Sequence, residues 1–319
     1  MLHVMGPRDG GSTAEAGWAR GYRFGVAAGT DHHGAYPGSH GDGRMGVFAS
    51  ALTRESIWEA FLARRVFAAT GDRIDTRLFV DDAWMGSELR TPGDRHIRMS
   101  VRGSDSIRLV ELYKNGCVLH RFFPVAGSNT LTTPYRLRVT WGWGGINDLV
   151  AWQARFCLSD GTLSHIETCF HGDPVVAPRG EGQRHESPDD ADVPHAILER
   201  NDSSCVWESR TRGNPTMRHA TTQAISFEID APIDASVVLE VNGHRYEHRL
   251  AELAVGARCH FLRGLAHEAV RIGPLVPVSR CTVTSEFRDT PERDVDYYRL
   301  QVSQHNGQWA WSTPVWVRQ

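Results

Sequence analysis

An aspartate and a histidine two residues apart, in Thr30-Asp31-His32-His33-Gly34, form the pair best suited to chemistry in this chain. Side chains alternate along extended backbone, so Asp31 and His33 face one way and offer a carboxylate oxygen and an imidazole nitrogen to one cation. Zn, Mn or Fe accept that mixed set, and a metal-bound water is the nucleophile of a hydrolase. His32 points away from the pair, toward solvent or a supporting hydrogen bond. His40 and Asp42 follow in a Gly-rich loop, where they either approach a metal or phosphate or simply form a turn. Arg73, in Thr70-Gly-Asp-Arg73, either grips an anionic group bidentately or pairs with Asp72 or Asp75.

Two tryptophan pairs stand out, Trp141-Gly-Trp143 and Trp309-Ala-Trp311. Residues two apart share a strand face, so each pair is either an aromatic platform for sugars or part of a core. His244 and His248 flank Tyr246 after Asn242-Gly243 and read as exposed strand residues. The six cysteines include no C-x-x-C, which leaves them as buried free thiols of a reducing compartment. Nucleophile-elbow, P-loop and dinucleotide fingerprints are absent, which removes support for serine hydrolase, NTPase and nicotinamide oxidoreductase readings.

The elements that must position these residues change character along the chain. Ser12 or Thr13 caps a short helix from Ala14 to Arg20 that stops at Gly21. Tyr22 to Gly29 reads as a buried strand delivering its end into Asp31 and His33. Thr53 caps a helix over Arg54 to Arg65, with Ile57, Trp58, Phe61 and Leu62 as its apolar face. Val66 to Thr70 returns as a strand, completing an α/β unit.

After Gly71 the period falls to two. Ile97, Met99 and Val101 alternate with polar neighbours, as do Tyr135, Leu137, Val139 and Trp141, and Ile225, Phe227 and Ile229. Asn115-Gly116, Asp160-Gly161, Asn242-Gly243 and Asn306-Gly307 each separate two such runs and signal hairpins. A weak helical pattern surrounds Gly264 to Ala269. Residues 173–194 carry little large apolar content and read as a mobile segment or linker.

With 319 residues, 40% apolar and 23% charged, the chain can bury a sizeable core, and its composition excludes collagen, coiled coil and wholesale disorder. The net charge of −3 gives no field favouring nucleic acid or an anionic membrane. Lys114 stands isolated among arginines, a bias that fits a GC-rich coding background. The sequence shows no apolar leader and no run of 18 apolar residues, so the expected location is cytoplasmic.

Residues 17–86 carry a resemblance, through Gly17-Trp-Ala-Arg-Gly-Tyr-Arg-Phe-Gly-Val-Ala-Ala-Gly-Thr-Asp31-His-His33, Leu52 to Ile74 and Met85-Gly86. They are similar to the end of PHP-type (polymerase and histidinol phosphatase) metal-dependent hydrolases of the larger bacterial, carbaryl-hydrolase-like group. Tyr297 to Trp316 is similar to the ending of the same proteins. The resemblance implies a distorted (β/α)₇ barrel with up to three metal ions, an early His-x-His and a late Asp-x-His. The chain has no His-x-His, and roughly 75 residues cannot supply a barrel that needs on the order of 200.

The implied fold class is therefore mainly β with an N-terminal α/β piece: residues 1–75 as the remnant of a (β/α)₇ PHP barrel, and residues 76–319 as an antiparallel β-sandwich region of one or two units. The implied function is the C-terminal part of a metal-dependent hydrolase acting on a small ester or phosphoester, with Asp31 and His33 holding a divalent ion and another chain or upstream segment completing the barrel. The rival is a non-catalytic β-sandwich module that binds carbohydrate or a protein partner.

Overall fold

The computed structural model describes residues 10–29, 43–124, 134–145, 148–171, 195–213, 220–265 and 267–319. Among them, the strands form four open sheets that pack in two pairs, and all but one of the strand pairings are antiparallel.

The first sandwich sets an eight-stranded sheet against a four-stranded one. The larger sheet runs Arg44–Val47, Val66–Ala69, Trp309–Ser312, Val295–Gln304, Val315–Arg318 and Glu88–Arg90. Ile107–Lys114 also pairs with Val295–Gln304 and carries Cys117–Phe122 beyond it. The smaller sheet runs Thr282–Asp289, Arg95–Arg102, Asp75–Val80 and Ala83–Trp84. Their shared core buries Leu78, Ile97, Met99 and Val101 from one sheet against Val110, Leu112, Leu300 and Val302 from the other. The alternation of Ile97, Met99 and Val101 is thus a two-residue period with one face inside.

The second sandwich packs two five-stranded sheets over a core rich in aromatic rings. Phe156 of strand Leu149–Leu158 stacks on Phe227 of strand Thr222–Asp230, with centroids 4.2 Å apart and planes 10° off parallel. The buried Trp141 and Trp152 indoles donate to Ser209 Oγ and Thr211 Oγ1, each at 2.7 Å, so the rings enter the core with their N–H groups satisfied. The strands of this sandwich lie between Tyr135 and Pro277, whereas the first sandwich takes its strands from before Phe122 and after Thr282. The second unit is inserted into the first.

Thr53 Oγ1 accepts from Ser56 N to cap helix Arg54–Leu62, and Thr13 Oγ1 accepts from Ala16 N to cap Ala14–Ala19. Both caps match the sequence reading. The face of the longer helix does not: of its residues only Ala60 is buried, while Trp58 and Leu62 are 62% and 66% exposed.

The remnant of a (β/α)₇ barrel is corrected by strand direction. Strands flanking a helix in such a barrel run parallel. Here Arg44–Val47 and Val66–Ala69 flank the helix and pair antiparallel, and they continue into the C-terminal strands of the larger sheet. Residues Tyr22 to Gly29 form no strand and are all exposed or half-buried, because no partner strand receives them. Asp160-Gly161 joins strands that belong to opposite sheets of the sandwich, so it turns a corner where a hairpin is expected. Asn115-Gly116 and Asn242-Gly243 do form tight hairpins, all four residues having positive φ. Among the described residues of this half the α-helix lies at Leu250–Val255, and those between Gly264 and Ala269 are not helical. The mobile segment expected at 173–194 falls outside the described residues.

Candidate functional site

Asp31, His32, His33 and His40 lie outside the described residues. On either side of that stretch, Gly29 and Gly43 sit against each other: a Cβ on Gly43 would fall 2.1 Å from the Gly29 carbonyl oxygen, which requires glycine there. Among the described residues no three His, Cys, Asp or Glu side chains gather as a metal site.

The two tryptophan pairs separate. Trp141 is 1% exposed and belongs to the core of the second sandwich, 5.1 Å from Trp207. Trp143 sits just past the strand end, 39% exposed with φ 61°. Their rings share no platform.

Trp309 and Trp311 do stand together. They flank the buried Ala310 on strand Trp309–Ser312, so both project from the face of the larger sheet opposite the core. Their rings lie 8° from parallel with centroids 6.1 Å apart, and both are half-buried. Strand register extends Trp311 into a polar row, Trp311 beside Gln301, Gln301 beside Glu111 and Glu111 beside Arg121. Gln301 Oε1 accepts from Trp311 Nε1 at 3.1 Å, and its Nε2 donates to Glu111 Oε2 at 3.2 Å. Glu111 also accepts from Arg121 Nε and Tyr113 Oη. The Arg108 guanidinium lies 5.5 Å from the Trp309 ring centre.

Asp72 ties the two sandwiches together. Its fully buried carboxylate accepts from Arg138 Nη1 at 2.9 Å and Nη2 at 3.2 Å, from Gln304 Nε2 at 2.9 Å and from Asn306 Nδ2 at 2.6 Å. Arg138 belongs to the inserted unit and the other three residues to the first. Ser226 Oγ donates to Ser104 O at 2.7 Å across the same boundary. Arg73 takes no part: its side chain is exposed and has no ion pair among the described residues, while Asp75 pairs with Arg77.

A cavity of about 640 Å³ opens beside this junction, lined by Arg108, Arg138, Arg271, Arg280 and His305, with Asp105 its one carboxylate among the described residues. Sequence reasoning missed this group because its members lie up to 197 positions apart along the chain as isolated polar positions of strands and loops. A second missed pair is His248 and His260, whose Nε2 atoms are 2.8 Å apart. The sequence pattern places His248 on an exposed strand, yet its side chain is 13% exposed, because strand Arg258–Phe261 brings His260 over it. Burial, and then the neighbouring His248, hold the His260 pKa below its ordinary value.

All six cysteines are free, and three of them, Cys169, Cys205 and Cys281, are buried. Burial pushes the Cys205 thiol up to about 11 and the Cys281 thiol up to about 12, which keeps both protonated and unreactive.

Residues 38–94 match the family described as "Protein of unknown function (DUF3604)". That stretch contains the strand, helix and strand from Arg44 to Ala69 together with Arg73 and the start of the smaller sheet. The chain is also similar to an uncharacterized protein of Chlamydia pneumoniae, 38% identical over 141 residues, covering 40% of this chain and 22% of the relative. Uncharacterized proteins of Chlamydia muridarum and Chlamydia trachomatis are 36% and 35% identical over 119 residues, covering 33% of this chain and 19% of each relative. The chain thus spans about a fifth of the length of these relatives. No solved structure matches it. The PHP resemblance is overturned by this family match together with the antiparallel sheets that stand where a barrel was expected. Among the described residues no helix is long and apolar enough to cross a membrane.

Proposed function

We propose that this chain acts as a β-sandwich binding module whose ligand is a carbohydrate held on the Trp309–Trp311 face. The supporting observation is the aromatic pair with its adjoining polar row of Gln301, Glu111 and Arg121. A pyranose offers an apolar C–H face to an indole and a rim of hydroxyls to amide, carboxylate and guanidinium groups. A stripe of two rings beside a hydrogen-bonding stripe meets both demands. A glycan array followed by titration calorimetry on the best oligosaccharide tests the reading. Binding should fall about tenfold or more in Trp311→Ala, equivalent to the loss of roughly 1.4 kcal/mol or more. It should remain in Arg155→Gln, which alters an exposed residue of the second sandwich. Absence of glycan binding, or equal binding by Trp309→Ala, Trp311→Ala and the parent, would reject it.

A hydrolytic reading rests on the Asp31-x-His33 pattern and on the glycines that bracket it, Gly29 and Gly43. Asp31 and His33 would hold a divalent ion together with at least one further ligand, since a catalytic zinc takes about three protein ligands. The ion would supply an activated water for ester or phosphoester cleavage. Titration with Zn²⁺ and Mn²⁺ should show weak saturable binding that disappears in both Asp31→Ala and His33→Ala. Unchanged binding in either variant removes this reading.

A further inference from the structure

The arginine-lined cavity at the junction of the two sandwiches has a chemistry that neither reading above uses. It gathers Arg108, Arg138, Arg271 and Arg280 with His305 around about 640 Å³, a volume that suits a small metabolite. Among the described lining residues, one carboxylate stands against four guanidinium groups: Asp105, whose Oδ1 already accepts from Ser106 N at 2.6 Å. Arg138 is neutralised by Asp72, and Arg108 donates to the neutral Ser303 hydroxyl at 3.2 Å. The side chains of Arg271 and Arg280 make no hydrogen bond or ion pair to any described residue.

Register explains part of the convergence. Arg271 pairs directly with Thr140, which shares a strand face with Arg138, so two guanidinium groups project from adjacent strands onto one surface. Surface arginines of this chain commonly find a carboxylate, as Arg77, Arg98 and Arg121 do with Asp75, Asp82 and Glu111. Those of the cavity outnumber the acids available to them. Like charges set around one concavity repel each other, and a doubly charged oxyanion between them relieves that repulsion while accepting several charge-assisted hydrogen bonds.

We propose that this cavity binds the phosphoryl group of a small phosphorylated ligand, with Arg271 and Arg280 as its main donors. The assignment is independent of the carbohydrate reading, because Trp309 and Trp311 do not line the cavity. Phenyl phosphate is the probe, followed by ³¹P line broadening and calorimetry on the full chain at low salt. Saturable binding is expected, weakened about tenfold by Arg271→Gln and by Arg280→Gln singly and more by the pair, as for loss of one charge-assisted contact each. Both residues are exposed and outside the cores, so circular dichroism should show unchanged folding. Arg155→Gln, remote from the cavity, should bind like the parent. Failure of the parent to bind phenyl phosphate overturns the proposal. So does equal affinity in the Arg271→Gln, Arg280→Gln double variant, and so does benzoate binding as tightly as phenyl phosphate, which would make the site a general monoanion site.

Discussion

Replacing Asp72 with alanine should lower the unfolding free energy by about 3–5 kcal/mol, the usual effect of removing one partner from a buried ion pair. The Asp72 side chain is completely buried, and the guanidinium it faces on Arg138 is only 14% exposed. Alanine would strand that charge and leave the Gln304 and Asn306 amides without their common acceptor. Burial alone raises the Asp72 pKa, but the charge of Arg138 and the hydrogen bonds from Asn306 and Arg138 outweigh it, holding the carboxyl below its ordinary 3.8. The unfolded chain therefore takes up this proton first as the medium is acidified. The stabilisation is complete above the ordinary aspartate value and is lost as pH falls from there toward the folded-state value. Urea titrations at neutral and acid pH check both parts. A loss below about 1 kcal/mol, in the range of an exposed pair, would contradict the role. A difference between parent and Asp72→Ala that does not shrink in acid would contradict the pH dependence.

Trp141→Ala should cost a similar amount, about 3–5 kcal/mol, by a different route. The indole is 1% exposed, lies among Trp207 and Phe170, and donates to Ser209 Oγ. Truncation opens a cavity between the sheets and orphans a buried hydroxyl. Ser209→Ala, which removes only the hydrogen bond, should cost about 1 kcal/mol, so the difference between the two variants reports packing. Trp311→Ala provides the contrast, because its ring is half-exposed and outside both large cores. Equal denaturation midpoints for Trp141→Ala and the parent would remove Trp141 from the core and return it to the candidate binding residues.

The two tryptophan pairs show how far the sequence reaches. Both have the same spacing, but alternation holds only for Trp309 and Trp311, because the strand of Trp141 ends at Gly142 and Trp143 turns away with φ 61°. Which side faces a core depends on the opposite sheet, and that is tertiary information. Period-two runs such as Ile97, Met99 and Val101 were legible because both the pattern and the burial come from one strand. Asn-Gly turns were legible where adjacent strands pair, whereas Asp160-Gly161 carries a similar signal and joins different sheets. The helix Arg54–Leu62 was legible from its cap, yet its apolar face suggested burial that the described residues do not provide. Tyr22 to Gly29 was misread for the complementary reason: apolar residues beside glycines resemble a strand, but a strand requires a partner. The cavity arginines and the Asp72 network had no local signal, since each arises from side chains far apart in the chain that only the packed sandwiches bring together.

The insertion of one sandwich within the other has a consequence for biosynthesis. The ribosome completes the inner unit before it makes the residues from Thr282 onward that finish the outer one. Strand Val295–Gln304 sits at the heart of the larger sheet and pairs with Ile107–Lys114, made almost two hundred residues earlier. Such distant pairing closes slowly and leaves open sheet edges in the meantime. The nascent N-terminal strands can pair among themselves, Arg44–Val47 with Val66–Ala69, Asp75–Val80 with Arg95–Arg102 and Ile107–Lys114 with Cys117–Phe122, but both outer sheets stay incomplete until the C-terminal strands are made. Removing the last 25 residues would leave the outer unit without its central strand while sparing every strand of the inner one.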